Sequence, residues 1–125
     1  MKITRFCPLI VTKDPESTIK LFEELGFEKR HTKTDVEGGA NVAVTMKDAN
    51  GFSVIVAKTE TAPRDITTIQ VNVDNFDEAY DFLINRGFIN PRGDKVTETS
   101  SSKATMLVAP TGFSLTIDEH LKNRD

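Results

Sequence analysis

The sequence predicts an α+β chain of two tandem βαβββ units, residues 1–60 and 66–120, joined by a short linker at 58–65 within one domain, 1–125. Three observations predict it: a repeat at fixed offset, a matched pair of helix signals, and alternating apolar runs around them. Asn50-Gly51-Phe52-Ser53-Val54-Ile55-Val56 returns as Thr111-Gly112-Phe113-Ser114-Leu115-Thr116-Ile117, an offset of 61 residues. The same offset carries Gly26-Phe27 onto Gly87-Phe88, Asp14 onto Asn75, Met46 onto Leu107 and Ile10 onto Val71. An internal repeat of this kind marks a duplicated supersecondary unit. Halves of about 60 residues bury too little surface to be comfortably stable alone, so the two are expected to share a core.

In the first unit, Phe6 to Thr12 is a short apolar run with β-branched residues, the mark of a strand. Asp14-Pro15 then starts a helix, with Asp14 as N-cap and Pro15 at the first helical position. Ile19, Phe22 and Leu25 form its apolar stripe, and Gly26 ends it. A polar extended stretch from Phe27 to Thr34 follows, then an alternating strand from Ala40 to Met46, a tight turn at Asn50-Gly51, and a last strand. The second unit repeats the order. It has a strand through Val71 and Val73 and a helix from Asn75 to Arg86 with Phe76, Ala79, Tyr80 and Leu83 inward. Gly87 closes the helix, extended chain follows from Phe88, and a strand runs from Lys103 to Val108 before the Thr111-Gly112 turn. Pro91 to Ser102, rich in Gly, Ser, Thr and charge, is expected to include a mobile loop. The charged tail after Asp118 reads as a short helix or a frayed end. By their spacing Phe22, Phe27, Phe52, Phe82, Phe88 and Phe113 are read as core or helix–sheet packing residues.

Composition narrows the function classes. At 38% hydrophobic and 28% charged residues the chain is of globular type rather than disordered. A net charge of −3 with both signs interspersed lacks the basic stripe of a nucleic-acid binder, so no nucleic-acid partner is expected. No apolar run approaches the ~20 residues that span a bilayer, and no signal-peptide pattern opens the sequence. Cys7 stands alone and cannot form an internal disulfide, which fits a reducing, cytoplasmic setting.

Strand alternation assigns the faces. The bulky sets (Phe52, Val54 and Val56; Phe113, Leu115 and Ile117; Ile69, Val71 and Val73) are expected to pack on the helix of their own unit. The opposite, concave face is then Cys7, Leu9, Val11, Ser53, Ile55 and Ala57 in unit one, and Thr68, Gln70, Asn72, Ser114, Thr116 and Asp118 in unit two. One apolar and one neutral polar wall suit a small amphiphilic ligand. In the alternative reading the polar side chains are merely solvated, as one face of an antiparallel sheet often is. The expected ligand contacts are Cys7, Leu9, Ile55, Thr68, Gln70, Asn72, Ser114 and Thr116. His31 reads as a solvated strand residue, and Lys58 and Arg64 as surface charges near the linker or an anion clamp.

Leu9-Ile10-Val11-Thr12-Lys13-Asp14-Pro15, Leu21-Phe22 and Leu25-Gly26-Phe27, with Asp48-Ala49-Asn50-Gly51-Phe52 and Ala109-Pro110-Thr111-Gly112-Phe113, resemble the vicinal oxygen chelate superfamily over nearly the whole chain. That superfamily includes glyoxalase I, bleomycin- and fosfomycin-resistance proteins and extradiol dioxygenases. The resemblance implies a cupped, barrel-like mixed sheet with the helices outside, and a homodimer. It also implies His at the start of each first strand and Glu or another ligand in each last strand of metal-dependent members. The matching positions hold Cys7, Thr68, Ile55 and Thr116, and neither His31 nor His120 matches one. An open divalent site uses about three protein N or O ligands, and these residues offer at most a thiolate and two hydroxyls.

No metal and no cofactor are therefore expected, and the leading reading is a metal-independent relative that binds a small organic molecule. A bleomycin-type ligand fits poorly, since the chain has no Trp and the concave face has only Asp118 as a carboxylate. The alternative is an enzyme of the same fold (lyase, isomerase or dioxygenase) with an atypical metal site or chemistry based on Cys7. A thiol needs a nearby base or cation to become a nucleophile, and buried cysteines are usually inert. A third reading, a module that holds another macromolecule, rests only on the tendency of the fold to pair.

Overall fold

The computed structural model of the chain describes residues 1–36, 41–60 and 63–121. Among them run β1 (Ile3–Thr12), α1 (Pro15–Glu24), β2 (Glu28–Val36), β3 (Asn41–Lys47), β4 (Ser53–Lys58), β5 (Ile66–Val73), α2 (Phe76–Ile84), β6 (Thr97–Glu98), β7 (Ser102–Val108) and β8 (Ser114–His120). This is βαβββ twice, the predicted α+β class. Ala40, the expected start of the third strand, lies outside the described residues, as do residues 61–62 of the linker and 122–125 of the tail. No helix among the described residues is long and apolar enough to cross a membrane.

The chain divides into two compact units, Cys7–Thr67 and a second made of Met1–Phe6 with Thr68–Asp125. In the first, the strand order is β2-β3-β4-β1, with β1 and β4 parallel and the other pairs antiparallel. In the second, the order β5-β8-β7-β6 repeats this pattern, with β5 and β8 parallel. The 61-residue offset survives in the register, since Leu9 pairs with Ile55 just as Gln70 pairs with Thr116.

Both helices begin and end as their sequences direct. The Asp14 carboxylate accepts from the Ser17 backbone N–H at 3.2 Å, and the Asn75 side chain accepts from Glu78 N–H at 3.0 Å. At the other end, the Phe27 N–H reaches the Phe22 carbonyl and the Gly26 N–H the Glu23 carbonyl; Phe88 to Leu83 and Gly87 to Ile84 do the same for α2. This is the Schellman closure, which requires a left-handed residue, and Gly26 at φ 106° and Gly87 at φ 94° supply it. Phe22 and Phe27 add the accompanying apolar contact, edge to face at 5.5 Å.

Each unit packs its own helix. Val44, Met46, Val54 and Val56 form the core of the first, covered by Ile10, Ile19, Phe22 and Phe27. Val71, Val73, Phe76, Ala79, Leu107 and Ile117 form that of the second, with Tyr80, Leu83 and Phe88 against them. Met46 and Leu107, equivalent in the repeat, are both fully buried.

Several expectations need correction. Leu25 is 63% exposed, so the α1 stripe ends at Phe22. Phe52 and Phe113 are also exposed, at 66% and 54%. β4 and β8 start one residue later, at Ser53 and Ser114, so each phenylalanine closes the preceding loop through its backbone. The N–H groups of Asp48 and Ala109 donate to their carbonyls. Phe82 lies on the outer side of α2 beneath the Arg86 guanidinium, 3.6 Å from its ring centre, and is exposed. β1 begins three residues earlier than expected, at Ile3. The tail is neither helical nor frayed through His120, because Asp118, Glu119 and His120 pair with Ala104, Lys103 and Ser102. Pro91 to Ser102 contains β6 and a turn at Gly93, and Asn90 anchors its start by donating to the Lys95 carbonyl and accepting from Arg92 N–H.

Candidate binding site

In the first unit, β1 and β4 run parallel, and the face turned away from α1 carries Cys7, Leu9 and Ile55 as a buried apolar cluster. Val11, Ala43 and Ala57 pack around it. Cys7 is 4% exposed among these aliphatic groups, a setting in which a thiol packs as a small hydrophobe. Ser53 is half-buried at the start of β4. The sequence reading omitted Ala43, although alternation in β3 would have found it: Val44 and Met46 face the helix, so Ala43 and Thr45 face the other way.

In the second unit, five of the equivalent positions turn polar, while Ala104, equivalent to Ala43, and Met106, equivalent to Thr45, are apolar. Thr68 replaces Cys7, Gln70 replaces Leu9, Asn72 replaces Val11, Thr116 replaces Ile55 and Asp118 replaces Ala57. Among the helix-facing pairs, Ile10/Val71, Val56/Ile117 and Met46/Leu107 stay apolar, whereas Val44 corresponds to Thr105. The five changes to a polar side chain lie on one face of the paired first and last strands of the unit.

The polar groups engage one another. The hydroxyls of Thr68 and Thr116 lie 3.2 Å apart and share a hydrogen bond. Gln70 donates through Nε2 to Asn72 Oδ1 at 2.9 Å and to Asp118 Oδ2 at 3.2 Å. Parallel pairing of β5 and β8 makes this reach, with Gln70 opposite Thr116 and Asn72 opposite Asp118. Thr68 and Gln70 are only 2% and 6% exposed, so the solvated reading fails for both. Asn72, Ser114, Thr116 and Asp118 are half-buried.

The remaining singled-out residues lie elsewhere. His31 is exposed on β2 opposite Thr45, Lys58 pairs with Glu60 at 3.1 Å, and Arg64 is exposed. Glu119, which the sequence reading did not single out, accepts from the Phe76 N–H at 2.8 Å and so caps α2 from β8.

A divalent metal does not fit the positions that the resemblance assigns to it. In the first unit they hold a thiol and an alkyl chain in one apolar cluster. In the second they hold two neutral hydroxyls that satisfy each other. The set has no carboxylate and no imidazole to offset a double positive charge. Among the described residues, no group of three or more His, Cys, Asp or Glu side chains converges elsewhere either.

No protein-family model matches the chain, and no curated protein matches it in sequence. Solved structures do match. A glyoxalase/bleomycin resistance protein/dioxygenase superfamily member from Vibrio splendidus 12B01 aligns over 94% of this chain and 99% of its own, with TM-score 0.61 and 16% identity. A methylmalonyl-CoA epimerase from Streptomyces coelicolor, in complex with 2-nitronate-propionyl-CoA, aligns over 94% and 98%, with TM-score 0.63 and 17% identity. Glyoxalase I from Zea mays aligns over 94% of this chain with TM-score 0.66 and 15% identity, and the chain spans 43% of that protein. Identities this low establish the fold and not an activity. Paired βαβββ units, their matched registers and these likenesses together give the chain the fold of the vicinal oxygen chelate, or glyoxalase/bleomycin resistance/dioxygenase, superfamily.

Proposed function

We propose that this protein binds a small organic molecule without a metal. One observation carries the reading: the four positions that hold metal ligands in metal-dependent relatives are occupied by side chains that pair within their own unit. Cys7 with Ile55 gives an apolar surface, and Thr68 with Thr116 a neutral hydroxyl surface. Leu9 extends the first surface; Gln70, Asn72 and Ser114 extend the second. Placed polar groups such as those of the second surface are what orient a ligand in a small-molecule site. Chemistry at Cys7 is less well supported, because the thiol is buried in an aliphatic cluster. The reading also carries a cytoplasmic homodimer, which light scattering at micromolar concentration tests.

The experiment is elemental analysis of protein purified without added metal, together with a thermal-shift panel of small amphiphilic compounds in EDTA. The expected result is no stoichiometric metal and at least one compound that stabilises the fold. A ligand at a hundred times its Kd adds about 2.7 kcal/mol, enough for a shift of several degrees. Stoichiometric Zn, Mn, Ni or Fe, or a panel without a single binder, overturns the proposal.

A further inference from the structure

The hydrogen bonds on the polar face have a direction, and Asp118 sets it. An ionised carboxylate only accepts, so the amide group of Gln70 must turn Nε2, and not Oε1, toward Asp118. The second Nε2 hydrogen goes to Asn72, which must therefore present Oδ1 to it. Both donors of Gln70 are consumed, and its Oε1 has no partner among the described residues. Asn72 is left with Nδ2, likewise without a partner among them. No sealed side-chain nitrogen or oxygen lacks a partner among the described residues, so both atoms are reachable from outside even though Gln70 is 94% buried. The face thus offers a fixed acceptor beside a fixed donor, with a carboxylate behind them.

We propose, resting on the small-molecule reading above, that Gln70 and Asn72 recognise a neutral amide group (carboxamide, lactam or urea) and discriminate against a carboxylate. An amide carries N–H beside C=O, the complement of Gln70 Oε1 and Asn72 Nδ2. A carboxylate carries two acceptors. One of them would oppose Gln70 Oε1, an acceptor against an acceptor. Leaving a placed polar group unpaired is what makes such discrimination steep.

The test is titration of the nitrogen-15-labelled full chain with benzamide and, separately, with benzoate at pH 7, following the side-chain amide signals of Gln70 and Asn72. Benzamide is expected to bind at least about tenfold more tightly and to move both signals. In Asp118→Asn the neutral side chain can donate or accept, so Gln70 is free to turn and the preference falls below about threefold. Asn72→Ala keeps the bond from Gln70 to Asp118 and is expected to weaken benzamide about tenfold, which provides a test should the Asp118 variant fail to fold. Equal affinities in the unaltered chain, or a preference unmoved by both variants, overturn the inference. If other compounds of the thermal-shift panel bind while benzamide gains nothing over benzoate, the amide assignment alone fails. If no compound binds, the small-molecule reading fails with it.

Discussion

Glu119 offers a test of how β8 holds the second helix. Its Oε1 accepts the Phe76 N–H at 2.8 Å, at the first residue of α2, and Phe76 is only 2% exposed. Glu119→Ala leaves that N–H buried without an acceptor, at about 1–3 kcal/mol. It also removes a negative charge from the helix N-terminus, a further 0.3–1 kcal/mol or so. The expected loss is about 2–3 kcal/mol. Glu119→Gln keeps an oxygen within the same reach and gives up only the charge, so its loss stays near about 0.3–1 kcal/mol. The pair of Lys103 with Asp77 at 2.8 Å, on the neighbouring strand and first helical turn, remains in both variants. Equilibrium urea unfolding reads the difference: with m near 1–3 kcal/mol/M, the alanine variant shifts the midpoint by roughly 1 M or more and the glutamine variant by a few tenths. Equal losses in the two variants, or an alanine loss under about 0.5 kcal/mol, would refute the cap.

Three further perturbations follow from the same geometry. The Ser17 hydroxyl, and then its backbone N–H, hold the Asp14 carboxyl below its ordinary pKa. Because the folded value lies below the unfolded one, the stabilisation is complete above the unfolded pKa and is lost as pH falls through the folded one. Asp14→Ala should therefore destabilise the chain at pH 7, with the gap in urea midpoint narrowing below about pH 4. Gly87→Ala should cost more than Gly51→Ala: both residues have positive φ, but a Cβ at Gly87 would stand 3.0 Å from Pro110 Cγ while one at Gly51 meets nothing. Strain alone gives about 1–2 kcal/mol for Gly51, and thermal unfolding should show a larger loss for Gly87. Thr68→Val or Thr116→Val alone strands the other hydroxyl, at about 1–2 kcal/mol, whereas the double variant should be nearly neutral. Additive losses in that cycle would show that the hydroxyls are not each other's partners.

The parts of the molecule legible in the sequence are those governed by local rules. Asp14 and Asn75 cap helices because their short side chains reach the backbone N–H three residues further on, and Gly26 and Gly87 close them because only glycine takes that φ cheaply. Alternation also gave the helix-facing residues of β5 and β8. It failed at Phe52 and Phe113, because parity was carried one residue past the start of each strand, into a loop where it no longer applies. The charges of Glu119 and His120 disguised strand as tail. Their environment is set by pairing with Lys103 and Ser102 and by the N-terminus of α2, neither of which is local. For the candidate site, alternation could place Gln70, Asn72 and Asp118 on one face. The bonds among them depend on the parallel register of β5 and β8, which a single strand does not encode.

One strand crosses the boundary between the two units, and this bears on how the polypeptide is made. Residues Met1–Phe6 belong with Thr68–Asp125, where the Asp74 N–H donates to the Lys2 carbonyl and the Lys2 N–H to Asp74 Oδ1. The stretch that leaves the ribosome ahead of all the others described must therefore wait until residues beyond Asp74 have emerged. At roughly 5–20 residues per second that wait lasts several seconds or more, during which the backbone groups of Lys2 lack their native partner. Lys2 and Arg5 interrupt the apolar Ile3 and Phe6 with charge, the kind of interruption that disfavours pairing of a waiting segment with the wrong edge.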